Sequence, residues 1–420
     1  MSYDQKHPLA GKRIIVAGAG LAGLAFARAL VHQWPQGQPQ PEILLYEISS
    51  EKLDRSREGY TMGIKPESGL NALKQLGLLD TALRLSTTSV GGSQQPPNFW
   101  TKDWRMLLDI PPPSVSADGV PWNGIRLVRH VLRQILLDAL PAEAKVHWGV
   151  GCNSAEILDA GQTRVSLTDG SEAYCDLLIA ADGANSGIRA SLLPQETLEF
   201  AGVNCIIATS RFPSGKPELL KDRWGINISG QGVPFLTFPI DETSGVWATS
   251  YWSDKPRDRI KGEEALLRKD EILNEVRQRG SMFQQPFGEF IDATDPATLQ
   301  VFSARHKSPI SHSRALPEAN VIFIGDANHP MSPFSGNGAN SALLDAVELA
   351  QQLMSSSTIR EARDIFDRDS APRSQTAIEK SRWVICALHS KGMTFWLLRT
   401  LLGCVSFFMW LKLMFKRSSH

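Results

Sequence analysis

An excess charge of either sign is missing from this chain. Lysine plus arginine and aspartate plus glutamate both number 44 over 420 residues, so the formal net charge is zero. That balance implies no polyanionic partner, and no nucleic acid is expected. Cysteine is scarce, at five residues (Cys152, Cys175, Cys205, Cys386, Cys404), with no Cys-x-x-Cys pair. An odd, scattered set supports neither a disulfide framework nor a zinc centre, fits a reducing compartment, and leaves no metal expected. Met1 to Lys12 hold no apolar core of a secretory signal, so an intracellular protein is expected. No internal repeat and no long low-complexity stretch is present. With 42% apolar and 21% charged residues, the composition is that of a globular chain with room for two or three structural units.

What is there begins with a strand, a turn and a helix. Arg13 to Ala17 is short and β-branched, and Gly18-Ala19-Gly20-Leu21-Ala22-Gly23 opens an Ala/Leu-rich helical stretch ending near Trp34. A proline-rich break to Pro41 follows, then a second strand, Glu42 to Glu47. This βαβ pattern predicts a parallel sheet. In Gly-x-Gly-x-x-Gly, Gly18 permits the tight turn, Gly20 lets the backbone approach a pyrophosphate, and Gly23 lets helix and strand pack closely. The helix N-terminus offers free N–H groups to phosphate. Glu47 stands 24 residues after Gly23, where a carboxylate can accept ribose hydroxyls.

Two further motifs follow. Cys175 to Ala181 reads as a buried strand and runs into Asp182-Gly183-Ala184-Asn185-Ser186-Gly187-Ile188-Arg189; Asp169-Gly170 before it reads as a hairpin turn. Val321 to Ile324 reads as another buried strand, followed by Gly325-Asp326-Ala327-Asn328-His329-Pro330-Met331-Ser332-Pro333-Phe334-Ser335-Gly336-Asn337-Gly338-Ala339-Asn340 and a helix from about Ala339. A loop of small residues at a helix N-terminus can bring backbone N–H groups against a flat heterocycle.

In this order the three motifs resemble the single-component FAD-dependent aromatic-hydroxylase family (group A flavoprotein monooxygenases), from about Arg13 to Ser381. The segments Tyr60 to Pro66 and Arg126 to Arg133 are similar to family segments as well. The resemblance implies a Rossmann-like α/β FAD-binding domain interleaved with a β-sheet substrate domain and closed by C-terminal helices. Its segments are 1–80, 121–195 and 306–372 for FAD, 81–120 and 196–305 for substrate, and 373–420 for a helix and hydrophobic tail. FAD is the bound cofactor it implies, with NADPH or NADH as transient reductant, O2 as co-substrate, and a flavin hydroperoxide that must be kept dry. Gly18, Gly20 and Gly23 would hold the pyrophosphate and Glu47 the adenosine ribose. Tyr60 would be a further cofactor contact, and Arg129 would lie on the flavin side. Asp182 would sit at the junction of FAD and nicotinamide, and Asp326 at the ribityl chain. Pro333 would pack near the ring, with Gly336, Gly338, Ala339 and Asn340 around its pyrimidine edge. No protein nucleophile is needed. His329 is read as packing or hydrogen bonding beside the flavin, and with Pro333 it is the only catalytic candidate. His306 and His389 are read as structural, and Asn328 departs from the family's usual alanine.

The implied reaction inserts one oxygen atom, by hydroxylation or epoxidation, into a lipophilic, ring-containing molecule. A halogenase, a Baeyer–Villiger enzyme and a non-redox prenyl-binding protein are the alternatives. Trp224, Phe235, Trp247 and Trp252 are either pocket lining or sheet packing. Met393 to Leu411 carry one charge, Arg399, before Lys412, Lys416 and Arg417. A short membrane anchor built on Phe407, Phe408, Met409 and Trp410 is expected there, against a docked helix as the alternative.

Overall fold

The computed structural model describes residues 7–51, 61–87, 97–108, 124–158, 161–218 and 224–417, with only the backbone from 407 on. Tyr60 lies outside the described residues. Five parallel strands form the first sheet, in the order Val321–Phe323, Leu177–Ala180, Arg13–Ala17, Glu42–Glu47, Ala144–Trp148. Its central strand is apolar on both faces because both are covered. Ile14 and Val16 pack with the helices Leu21–His32 and Gly338–Ser355, while Ile15 and Ala17 pack toward Val165, Leu167 and Cys175 of a three-stranded sheet. That sheet turns at Gly170, with φ of +86°. The single strand expected over Cys175 to Ala181 is instead two, in different sheets. The chain changes sheet at Asp176, whose carboxylate accepts bonds from the Arg13 backbone N–H (2.9 Å) and Lys12 Nζ (3.1 Å).

Seven strands make the second body, in the order Thr294–His306, Glu199–Arg211, Ser244–Trp252, Pro234–Pro239, Gly225–Ile228, Asn98–Thr101, Met106–Leu108. Side chains alternate between its faces. On the far face Trp100, Phe235 and Trp247 pack against Phe283, Phe287 and Phe290 from the helical segment below. Phe235 and Trp247 are therefore core packing, a correction to their candidacy as pocket lining. The near face carries Phe99, Ile226, Ile228 and Leu236, and it meets Phe334 and Leu388. Trp224 stacks on Phe238 at 5.4 Å, while Trp252 is largely exposed beside His389.

One helix, Ile359–Leu388, runs without interruption past residues 372 and 373 and ends at His389. His389 Nδ1 lies 2.7 Å from the Ile385 carbonyl and Nε2 lies 2.9 Å from Ser250 Oγ, which ties the helix to the sheet. With a carbonyl on Nδ1 the ring is a neutral donor there, and Nε2 accepts from the serine. Burial brings the pKa from 6.5 to about 4. Between these values the unfolded chain binds more protons than the folded one. Stability should therefore fall as pH drops through that window, by up to about 3 kcal/mol. His389→Gln is expected to flatten the acid limb of a Tm-against-pH curve; an unchanged limb would move that proton uptake to another group.

The last helix, Gly392–Arg417, lays Phe395, Leu398 and Leu402 on the near face beside Ile226 and Ile228, while Met393, Trp396, Leu397 and Leu401 stay exposed. Among the described residues no helix is long and apolar enough to cross a membrane. The expected anchor thus gains no support, because the apolar positions of the helix are shared with a docked face. The side chains of Phe407, Phe408, Met409 and Trp410 lie outside the described residues.

Candidate cofactor site

The glycine turn is shaped by close backbone contacts at two positions and by open space at the third. Gly18 has φ of +99°, and a Cβ there would stand 2.6 Å from the Ala181 carbonyl oxygen. A Cβ on Gly23 would come within 2.0 Å of the Gly18 carbonyl oxygen. At Gly20, which precedes the first helical residue, a Cβ would meet nothing within 4 Å. Packing forbids side chains at Gly18 and Gly23, whereas Gly20 leaves a cradle at a helix N-terminus. Glu47 closes one side of it: Oε2 accepts from the Ala19 N–H (2.9 Å) and Oε1 from the Ser49 N–H (3.0 Å). Arg133, unassigned by the sequence motif, holds the Ala19 carbonyl through Nε at 2.9 Å and is buried beneath Trp148.

Asp182 follows the strand Leu177–Ala180. Its Oδ2 accepts from the Ile188 N–H (3.3 Å), while its buried Oδ1 has no partner among the described residues. Burial pushes this carboxyl above its ordinary pKa, against the pull of Ser186 and the Ile188 N–H. Arg189 fastens this turn to the next motif by donating to the carbonyls of Ala184, Glu196 and Ala327.

Asp326 sits in a 3-10 turn, Gly325–Ala327, deep in the fold yet exposed, which is the signature of a cleft. The enclosing protein pushes its carboxyl upward, and His329, then Arg129 at the start of the helix Arg129–Asp138, pull the other way. Its exposed carboxyl oxygens face the cleft as hydrogen-bond acceptors. Its Oδ1 lies 3.8 Å from where a Cβ of Gly338 would stand, so the carboxylate and the helix N-terminus face one space. Beneath it runs a buried chain of charges. His329 Nε2 is 2.6 Å from Asp345 Oδ2, which also accepts from the Gly325 N–H at 2.9 Å. Arg373 donates to Asp345 Oδ1 and Glu348, both at 2.9 Å. Burial favours a neutral His329, but the charge of Asp345 outweighs it and raises the pKa; Asp345 is in turn held low by His329, then Arg373, against its own burial. His329 is thus buried and bonded through Nε2 to the Asp345 that holds the Gly325 N–H of the Asp326 turn, while its Nδ1 has no partner among the described residues. Asn328 has a similar duty, its Oδ1 accepting from the Ile310 N–H at 2.8 Å.

The third motif turns at Pro333–Ser335, passes through Gly336 at φ of +57°, and enters the helix at Gly338, with Ala339 and Asn340 in its first turn. Asn340 spends its amide on protein: Oδ1 accepts from the Lys65 N–H (2.8 Å), and Nδ2 donates to the carbonyls of Gly63 (2.9 Å) and Gly336 (3.2 Å). Lys65, which the sequence reading passed over, brings Nζ to 2.8 Å from Asn337 Oδ1. Burial, then the charge of Lys380, lowers its pKa. Its signal was a lone cation between Ile64 and Pro66 at the end of an apolar strand. Asp345 and Arg373 were likewise visible only as charges inside otherwise apolar or helical stretches.

A dinucleotide with a flat redox ring fits this arrangement. The cradle at Gly20 suits a pyrophosphate, the open carboxylate of Asp326 suits a polyol, and the helix N-terminus at Gly338 suits an electron-rich heterocycle edge. Residues 12–381 match the FAD binding domain family. Monooxygenase cfoF of Aspergillus candidus is 36% identical over 398 residues, 92% of this chain and 93% of that protein. The 2-heptyl-3-hydroxy-4(1H)-quinolone synthase of Pseudomonas aeruginosa is 28% identical over 399 residues, covering 93% and 94%. In fold the chain is similar to Klebsiella pneumoniae HpxO solved with FAD and uric acid, at a TM-score of 0.76 and 21% identity over 93% of this chain and 92% of that one. These likenesses and the motif order define a flavin-binding oxidoreductase. The chain belongs to the single-component FAD-dependent monooxygenases, and FAD is its cofactor.

Proposed function

We propose that this enzyme uses NADPH or NADH and O2 to insert one oxygen atom, by hydroxylation or epoxidation, into a lipophilic, ring-containing small molecule. The observation that carries the reading is the open cleft at Asp326 and Gly338, beside the apolar near face of the seven-stranded sheet. Bound FAD would supply hydride acceptance and O2 activation. Gly18, Gly20 and Gly23 would seat the pyrophosphate, Glu47 the ribose, and Asp326 the ribityl hydroxyls. Arg129, Asp182, Pro333, Gly336, Gly338, Ala339 and Asn340 would frame the ring and the nicotinamide approach. Phe99, Leu236 and Phe334 would keep water from the reacting centre. The names of the relatives support oxygen transfer to small molecules.

The test has two arms. Candidate ring compounds should stimulate NAD(P)H oxidation and yield a product heavier by one oxygen in mass spectrometry. Asp326→Ala should purify with its fold intact but release FAD, with Kd weakened roughly 10- to 150-fold for the loss of a charge-assisted acceptor. Unchanged FAD affinity in that variant would remove Asp326 from the site. No stimulation by any ring compound, with FAD bound, would remove the proposed reaction.

A further inference from the structure

A hollow of about 500 Å³ opens on the surface where the helix Ile359–Leu388 ends and the helix Gly392–Arg417 begins. Trp252, at the end of the strand Ser244–Trp252, and Trp383 of the long helix both line it, and they stay 43% and 63% exposed. A single exposed tryptophan on a surface is ordinary. Two that line one hollow of ligand size leave apolar ring faces in water that an occupant would cover.

The rest of the lining is held in place. His389 spends both ring nitrogens on Ile385 and Ser250, so it offers the hollow only its ring, 5.5 Å from that of Trp252. Lys391 pairs with Gln231 in a backbone bridge, and its stem lies on the turn at Gly232, where a Cβ would stand 2.1 Å from Lys391 Cε. Thr394 turns its Oγ1 back to the Lys391 carbonyl at 2.7 Å. Ser390 differs. It lines the hollow and is buried, and its Oγ has no partner among the described residues. An unpaired buried hydroxyl costs stability that a ligand oxygen would return.

This hollow lies apart from the cofactor cleft. Leu398 lines it and also belongs to the near-face cluster with Phe334 and Leu388. His389 touches both as well, its ring 5.8 Å from that of Phe334. A wall one side chain thick therefore separates the hollow from the near face of the sheet.

We propose that the hollow is a second ligand site, distinct from the cofactor cleft, and that it takes a flat fused-ring compound bearing a carbonyl oxygen. The rings lie against the indoles of Trp252 and Trp383. The carbonyl accepts from Ser390 Oγ, and the ammonium of Lys391, which can only donate, favours the same polarity. The volume suits two or three fused rings, and a lining fixed beforehand keeps the ordering cost of binding small. The site needs neither FAD nor turnover, so it stands apart from the reaction proposed above.

Two exposed thiols supply the readout. Cys386 lines the hollow, whereas Cys404, on the last helix, lies outside it. The FAD-loaded full chain is treated with iodoacetamide at increasing concentrations of 2-naphthamide, and alkylation of each cysteine is followed by peptide mass spectrometry. Cys386 should be protected saturably, its rate falling at least about threefold, while Cys404 reacts at an unchanged rate. Trp383→Ala and Ser390→Ala should each raise the concentration for half-protection by roughly 3- to 10-fold, with FAD content as in the parent. Ser390→Ala removes a group that the fold leaves unpaired, so its Tm should equal or exceed that of the parent. Trp383, exposed on its helix, serves if the serine variant does not fold. No protection at millimolar amide, equal protection of both thiols, or a Cys386 that does not react at all overturns the proposal. So does a half-protection concentration unchanged in either variant, which would seat the compound elsewhere. Failure to oxygenate any ring compound is a separate result and falls on the proposed reaction alone.

Discussion

Gly20→Val is expected to give a folded, colourless protein. The protein itself offers no obstacle at this position, since a Cβ there meets nothing within 4 Å. The valine should instead occupy the volume a pyrophosphate needs and screen the N–H groups at the head of the helix. FAD content after purification should fall by more than about tenfold, while the far-ultraviolet circular dichroism stays that of the parent. Gly23→Val makes the contrast: its Cβ would stand 2.0 Å from the Gly18 carbonyl oxygen, so the strand-turn-helix must open before the chain can close. That variant should lose several kcal/mol of stability and accumulate poorly, as overpacking against backbone has no flexible neighbour to yield. If Gly20→Val retained FAD, or if Gly23→Val folded as well as the parent, the cradle would lie elsewhere.

Asp345→Ala should be the most destabilising single change near the site. It strips one carboxylate from the buried His329, the buried Gly325 N–H and the half-buried Arg373 together. Breaking a buried ion pair from one side costs about 3–5 kcal/mol, because the remaining charges are left without compensation. Urea unfolding should register that loss, and FAD retention should fall with it, since the Gly325 N–H fixes the turn that carries Asp326. Asp345→Asn keeps an acceptor for Gly325 while removing the charge. It should therefore hold FAD better than the alanine variant at similar urea sensitivity. A stability change under about 1 kcal/mol for the alanine variant would mean that solvent already reaches the cluster.

How much of this could be read beforehand depended on the range of the interactions. The Gly18 turn, the strand at Glu42 to Glu47 and the helix after Gly338 are written in local periodicity and in glycines that backbone sterics demand, so they were legible. The strand change at Asp176 was not, because apolar residues continue across it and only the bonds from Lys12 and Arg13 mark the break. The amide of Asn340 was assigned to the flavin edge from its place in the loop. Its bond to Lys65, 275 residues earlier in the chain, shows that it also clamps two segments together. Arg126 carried no signal at all. A single arginine in a short apolar strand is unremarkable until the structure shows that no carboxylate among the described residues comes to meet it.

The order of strands in the parallel sheet also sets a schedule for making the protein. Arg13–Ala17 leaves the ribosome about 300 residues ahead of Val321–Phe323, the edge strand that leads into Asp326. At about 5–20 residues per second, the half-built sheet waits roughly 15–60 s with an open apolar edge. No flavin site exists during that interval, so the cofactor cannot rescue the nascent chain. Production should therefore respond more to slower synthesis and chaperone supply than to added riboflavin. Chains stopped short of residue 321 should be found among the aggregates rather than as stable fragments.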